Sequence, residues 1–408
     1  MALGNQEQIQ IQNRLYPAYY TQFHCLADRC RDTCCFGWKI QFNKRDYLKI
    51  KRAPKTPELV ELTKTAVTRL PDGKRSEEHY GEFVVGQGKR CPFQNEQSLC
   101  RLQLDCGEKA LPAVCQEFPR VHGYTPMGLE ENLSTACEGV VELLWNLPEG
   151  LEFVEEPLPR EKWRSCKDSP NNRTFPVLRE AVIDLLQDRK YTLGQRMMMV
   201  GLGLDDIRKS WSTFDLLAWQ RRMDLLRSNP SLLEQLTVGD GNKEKFLAEN
   251  VRLALSLKEG GDPIDRELEE IGARQKQTDA GEQELEFHLE GYLAAERAFQ
   301  NYFGDVEYFF ENLVVNTAFW MRIPDLQSPE TLWRRYVSLC SVYSFFRFLA
   351  VLCCGTQPSR EKLFHGVVLA SRALMHNARR QSALREQFVE NKSDSLAHMA
   401  VLVQAGAV

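Results

Sequence analysis

Four cysteines within eleven residues, in the stretch FHCLADRCRDTCCFGW (23–38), constrain this chain more than any other feature. Cys25, Cys30, Cys34 and Cys35 follow the spacing C-x4-C-x3-C-C among Arg29, Arg31 and Asp32, surroundings unlike an apolar packing face. Farther on, KRCPFQNEQSLCRLQ supplies Cys91 and Cys100, LPAVCQEFPR supplies Cys115, and LSTACEG supplies Cys137. Ten of the thirteen cysteines fall within the first 166 residues. Thiolates are the soft ligands that zinc and iron–sulfur clusters prefer, and several on short loops can converge without a large core. Cys106, Cys166 and Cys340 stand outside these local contexts and read as packing residues, as do Cys353 and Cys354 within an apolar helix.

Disulfides are the competing use of so many thiols. The N-terminus, MALGNQEQIQIQNRLYPAYY, has neither the basic start nor the apolar run of an export signal, so a cytoplasmic protein is expected. Stable disulfides are rare in that compartment. With 52 basic against 56 acidic side chains, the net charge of −4 creates no strong field for nucleic acid or an anionic membrane. The most apolar stretch, Tyr336 to Cys354, contains Arg347, which costs about 2.5–3.5 kcal/mol near a bilayer centre. A buried core helix is therefore expected there, and no membrane insertion.

The length of 408 residues predicts two or three domains. The chain reads as mainly α. A polar N-terminal segment (1–18) precedes an irregular cysteine-rich metal-binding domain (19–150), and a larger all-α domain follows (151–408). In the first part, PELVELTKTAVTRL repeats apolar residues at helical spacing, with Leu59, Leu62, Ala66 and Leu70 on one side. PDGKRSEEHYGEFVVGQGKR reads as a loop or small hairpin containing the β-prone EFVV. NLPEGLEFVEEPLPRE (146–161), with three prolines and no helical period, marks the boundary.

Beyond it FPVLREAVIDLLQDRKY sets apolar pairs one turn apart, with Pro176 suited to a first helical turn. Further helices are expected at 194–208, 213–227, 243–258, 283–303, 305–321, 329–354, 359–380 and 383–404, with a mobile loop at 259–284.

The stretches FHCLADRCRDTCCFGWKI, CPFQNEQSLCRLQ, GEKALPAVCQEFPR and ENLSTAC, in that order, resemble the flagellin lysine-N-methylase family and, more broadly, the cysteine-rich zinc- or iron-chelating proteins. YFFENLVVNTAFW resembles a stretch of the same family. The resemblance implies transfer of methyl groups from S-adenosylmethionine to lysine ε-amines of flagellin, the protein partner, with a [4Fe-4S] cluster or alternatively zinc. It also implies the metal set Cys25, Cys30, Cys34, Cys35, Cys91, Cys100, Cys115 and Cys137. Eight thiols exceed the four that one cluster needs, so either two centres exist or some cysteines only support the ligands. The C-x3-C-x2-C pattern of reductive S-adenosylmethionine cleavage is not met, because Gly37 stands at its third position.

Methyl transfer needs a neutral amine, and an unperturbed lysine has a pKa of about 10.4. Tyr308 and Glu311, in NYFGDVEYFFENLVVNTAFW with Tyr302, Asn312 and Asn316, are the catalytic candidates, although aromatics at this spacing also suit a core. The glycine pairs of FVVGQGKRCP and MMMVGLGLDD lack the strand-turn-helix context of a nucleotide loop. His24 and His122 read as local hydrogen-bonding groups, while Arg29, Arg31, Arg101 and Arg120 could offset thiolate charge. A different class of function, a non-enzymatic metal protein acting in electron transfer or partner binding, accounts for the same cysteines.

Overall fold

The computed structural model describes residues 8–36, 40–86, 90–229, 242–257, 263–277, 283–375 and 393–404. From the N-terminus run β1 (Gln8–Ile11), β2 (Asn13–Pro17), β3 (Gln41–Phe42), α1 (Lys44–Arg52), α2 (Pro57–Ala66), β4 (Val67–Arg69) and β5 (Gly81–Phe83). Then come α3 (Arg101–Cys106), α4 (Ala113–Glu117), β6 (Arg120–Thr125), β7 (Gly128–Leu133), α5 (Glu138–Trp145), β8 (Phe153–Pro157) and β9 (Arg164–Lys167). The remainder holds α6 (Pro170–Leu186), α7 (Leu193–Lys209), α8 (Leu216–Arg227), α9 (Lys243–Ser256), α10 (Pro263–Glu270), β10 (Arg274–Gln277) and β11 (Gln283–Glu286). It closes with α11 (Leu289–Phe303), α12 (Glu307–Trp320), α13 (Pro329–Cys354), α14 (Arg360–Leu374) and α15 (Leu396–Gln404). The chain is thus mainly helical, and it divides into a smaller unit, Phe23–Val121 with Cys137–Val140, and a larger one formed by the rest.

In the smaller unit, Asn43 starts α1 by accepting the Asp46 amide, and Thr56 with Pro57 starts α2. The periodic stretch after Pro57 stays helical only to Ala66. Val67 and Thr68, β-branched, turn instead into β4, which pairs with β5 as the expected small hairpin. With β3 they form a three-stranded antiparallel sheet in the order β3-β5-β4. Ile50, Leu59, Phe83, Phe93 and Leu102 close the core against it, and Phe83 meets Phe42 and Phe93 at 5.0 and 5.1 Å between ring centres. The N-terminal cysteine-rich region is therefore less irregular than its sequence reads.

The larger unit is not all-α. Its four-stranded sheet has the order β6-β7-β2-β8, with β2 parallel to β7 and antiparallel to β8, and β1 pairs with β9. The proline-rich acidic stretch expected to be a linker supplies β8, because Asn13–Pro17 pairs with it residue for residue. The expected mobile loop carries α10 and the β10–β11 hairpin; its residues 259–262 and 278–282 lie outside those described. That hairpin also takes the first residues of the helix expected from 283, which starts at Leu289. Parts of the expected helices 359–380 and 383–404, at 376–392, are likewise outside the described residues, whereas α14 and α15 occupy the rest.

α6 begins six residues before Pro176, since Ser169 caps it and Pro170 fills the first position, so Pro176 lies inside the helix. α13 is the buried helix expected from its sequence: 94% of its apolar window is covered, Arg347 included. The GLGL glycines sit inside α7, where they let helices approach. A Cβ on Gly201 would lie 2.1 Å from Tyr336 Oη, and one on Gly203 would press on Met223 and Trp219. Gly201→Ala should therefore destabilise the protein by about 1–3 kcal/mol through overpacking. Urea unfolding checks this, and an unchanged midpoint would refute the packing role.

Candidate functional site

The smaller unit gathers all eight cysteines of the predicted metal set. The 30–35 loop is held to two other segments. On one side, Cys91 donates its amide to Cys35 O at 2.7 Å, and Phe36 bridges Arg90, so Cys35 and Cys91 lie on adjacent antiparallel segments. On the other, the Glu138 carboxylate accepts the amides of Arg31 (2.7 Å) and Asp32 (3.0 Å), which anchors the loop beside Cys137. Glu138 was not singled out from the sequence; its only signal was a carboxylate directly after a cysteine. Thr33 Oγ1 adds a further tie, accepting from Gln94 Nε2 at 3.1 Å and from the Cys35 amide at 3.2 Å.

Two groups of thiols result. Cys91 is in the apolar core, with Cys35, Cys100 and Cys115 packed against it. Cys30, Cys137 and Cys25 form the second group. Cys34 is near enough to bear electrostatically on Cys100 and Cys115 in the first and on Cys30 and Cys137 in the second. Neither adjacent cysteine is therefore turned away: Cys35 faces Cys91, and Cys34 serves both groups.

Five of these thiols, Cys30, Cys35, Cys100, Cys115 and Cys137, are shifted toward the protonated form. A hydrogen bond with Cys34 lowers the pKa of Cys35, but a hydrogen bond with Cys91 together with burial outweighs it and lifts Cys35 to about 12. Burial raises Cys137 to about 12 against the pull of the Gly139 and Val140 amides at the start of α5. Cys30, Cys100 and Cys115 are pushed upward chiefly by burial as well. Among the described residues, no group of three or more His, Cys, Asp or Glu stands in the arrangement of a formed metal site. The donor chemistry nevertheless fits a thiophilic metal: partly buried sulfurs within one unit, two of them (Cys100 and Cys137) at helix starts where amides favour negative charge. His24 and His122 are exposed, and Arg120 lies over the Phe23 ring at 5.5 Å.

The catalytic candidates belong to the larger unit, on α12. Tyr308 donates to Trp145 O at 3.0 Å, and burial raises its pKa. Asn312 donates to Leu144 O (2.9 Å) and Leu147 O (2.8 Å), and Asn316 to Leu133 O (3.1 Å). Spaced four apart, these three side chains form one helical stripe that ties α12 to backbone carbonyls. Glu311 is 1% exposed and lies between Arg189, at 2.9 Å, and Arg196, at 2.5 Å. Both of its oxygens are already engaged by these guanidiniums. Tyr302, in contrast, is 60% exposed.

A thiol-gathering unit and a helical unit organised about α12 define a cysteine-rich helical protein. The family model described as the FliB lysine N-methylase C-terminal domain matches residues 179–402, and the chain belongs to that family. It is 31% identical over 151 residues to proteins named Lysine-N-methylase from Salmonella typhimurium and Salmonella choleraesuis, a match covering 37% of this chain and 37% of each relative. A protein from Salmonella muenchen named Flagellar biosynthetic protein FliU is 33% identical over 141 residues, 34% of this chain and 81% of that one. The chain thus matches little more than a third of the length of the two methylases. No solved structure matches it.

Two outcomes follow from this geometry. In metal-free protein at pH 8, iodoacetamide should label exposed Cys25 at least about tenfold faster than Cys35 or Cys137, which hold little thiolate. Peptide mass spectrometry reads the order, and equal rates would show that the thiols are not buried as described. Because the folded chain binds these protons more tightly than the unfolded one, the stability they contribute is complete below about pH 8.5 and declines as pH rises toward 12. Urea titrations of the metal-free protein at pH 7 and pH 10 should show the loss.

Proposed function

We propose that this protein is a lysine N-methylase that moves methyl groups from S-adenosylmethionine to lysine ε-amines of flagellin, in the cytoplasm. The observation that carries the reading is the family match across α6 to α15, and the names of the partial relatives support both the reaction and the flagellar setting. In the reaction, the amine nitrogen forms a bond to the sulfonium methyl carbon as the carbon–sulfur bond breaks, and the amine proton leaves to a base or to water.

The chain's part is to deliver a neutral, aligned amine and to keep the site rigid. Glu311, bound to Arg189 and Arg196, acts by holding α12 in place, and so do Asn312 and Asn316. Tyr308 is the candidate that could reorient toward substrate, because it gives up only one hydrogen bond in doing so.

We further propose that the thiol unit takes a [4Fe-4S] cluster or, alternatively, zinc, with ligands from Cys25, Cys30, Cys34, Cys35, Cys91, Cys100, Cys115 and Cys137. The gathering of all eight cysteines in one unit supports this. When bound, such a group stabilises the unit and displaces thiol protons. Cys34→Ser should disturb metal content most, because Cys34 serves both thiol groups, whereas Cys91→Ser and Cys137→Ser should each affect one.

Anaerobically purified protein incubated with flagellin and S-adenosylmethionine should add methyl groups to lysines, read as one-methyl mass increments. No increment with metal retained would refute the methylase reading. Iron, sulfide and zinc analysis of the same preparation, with a visible spectrum, separates a cluster from zinc, and metal-free protein that remains fully active would refute a required metal.

A further inference from the structure

The smaller unit carries a charge distribution that the proposed chemistry does not use. Its residues include eighteen basic and fourteen acidic side chains, a net +4 in a chain of net −4, so the remainder carries −8. The excess is concentrated. Between Lys44 and Lys55, six of twelve residues are basic and only Asp46 is acidic.

Asp46 does not neutralise the outer face. It is 5% exposed, accepts the Ala113 amide at 2.8 Å and pairs with Lys49 at 2.8 Å. Arg45, Leu48 and Arg52 recur at helical spacing along the exposed side of α1. With Lys44, Lys49 and Glu77 they line a shallow depression of about 500 Å³. Glu77 is engaged by Lys44 at 2.8 Å. Among the described residues no carboxylate pairs with Arg45 or Arg52, and between them Leu48 is 38% exposed.

The surroundings extend the same sign. Arg69 and Arg75 lie over the Tyr80 ring at 6.0 and 5.6 Å, and Lys51 lies over Tyr47 at 5.9 Å. Because these rings face cations and Tyr47 is only 9% exposed, they offer no open platform for stacking bases. Glu77 in the lining also disfavours a polyphosphate. What fits is a short segment presenting two carboxylates a few residues apart with an apolar side chain between them: the carboxylates to Arg45 and Arg52, the apolar group to Leu48.

We propose that the outer face of α1 is a docking site for an acidic segment of the protein whose lysines are methylated. The proposal rests on the methylase reading for the identity of the partner, but its binding step can be measured alone. Arg45 and Arg52 supply fixed charge, and association is fast at low salt and weakens as salt screens it.

The test uses the full chain and fluorescence anisotropy with a labelled twelve-residue peptide alternating Glu, Leu and Gly. A peptide with Lys in place of Glu and a single-stranded twelve-nucleotide DNA are the comparisons. The acidic peptide should bind, weaken at least tenfold between 50 and 300 mM salt, and bind at least tenfold more weakly to R45E/R52E; R45K/R52K should retain most of the binding. Circular dichroism confirms that both variants are folded.

No binding of the acidic peptide, unchanged binding to the charge-reversed variant, or tighter binding of the DNA would overturn the proposal. With flagellin as substrate, R45E/R52E should raise KM and leave kcat unchanged. Methylation with an unaltered KM would sink the docking site and leave the methylase standing. Peptide binding without any methylation would do the reverse.

Discussion

Glu311 is the charge around which the larger unit is arranged. Its carboxylate is 1% exposed, and an ion taken that far from water is tolerated only if partners replace the lost solvation. Arg196 from α7 and Arg189, just before it, both reach the same carboxylate, and Arg196 also pairs with Glu307 at 2.6 Å. Sliding α12 past α7 would strand a buried charge, so the two helices are fixed in register. Arg179 of α6 does the same at the other end of α12. It donates to the Ala318 and Phe319 carbonyls at 3.1 and 2.9 Å and pairs with Glu130 of β7 at 2.9 Å. Burial pushes Glu130 upward in pKa, and the Arg179 charge opposes that shift.

Between these two anchors, α12 is a helix whose buried polar groups bind backbone rather than ligand. Its stripe of Tyr308, Asn312 and Asn316 satisfies carbonyls around the end of α5 and the end of β7, and Asn132 returns a hydrogen bond to Asn316 O at 2.9 Å. The four-residue spacing was visible in YFFENLVVNTAFW. The meaning of that spacing was not, because the carbonyls it meets belong to residues 133–147, far away in the chain. Polar side chains at helical spacing announce a shared partner and do not say whether it is substrate or backbone.

The same division between local and distant information runs through the fold. α7 and α13 were legible because caps, apolar period and length agree, as with Ser328 and Pro329 opening α13, and α12 through its apolar run alone. β1, β2 and β8 were not, because a strand of five residues is recognised by what pairs with it. FVEEP reads as linker until Asn13–Pro17 lies beside it. The cysteine set could be named from spacing, but the gathering of Cys137 with the 30–35 loop depends on the Glu138 carboxylate binding two amides, an interaction no spacing encodes.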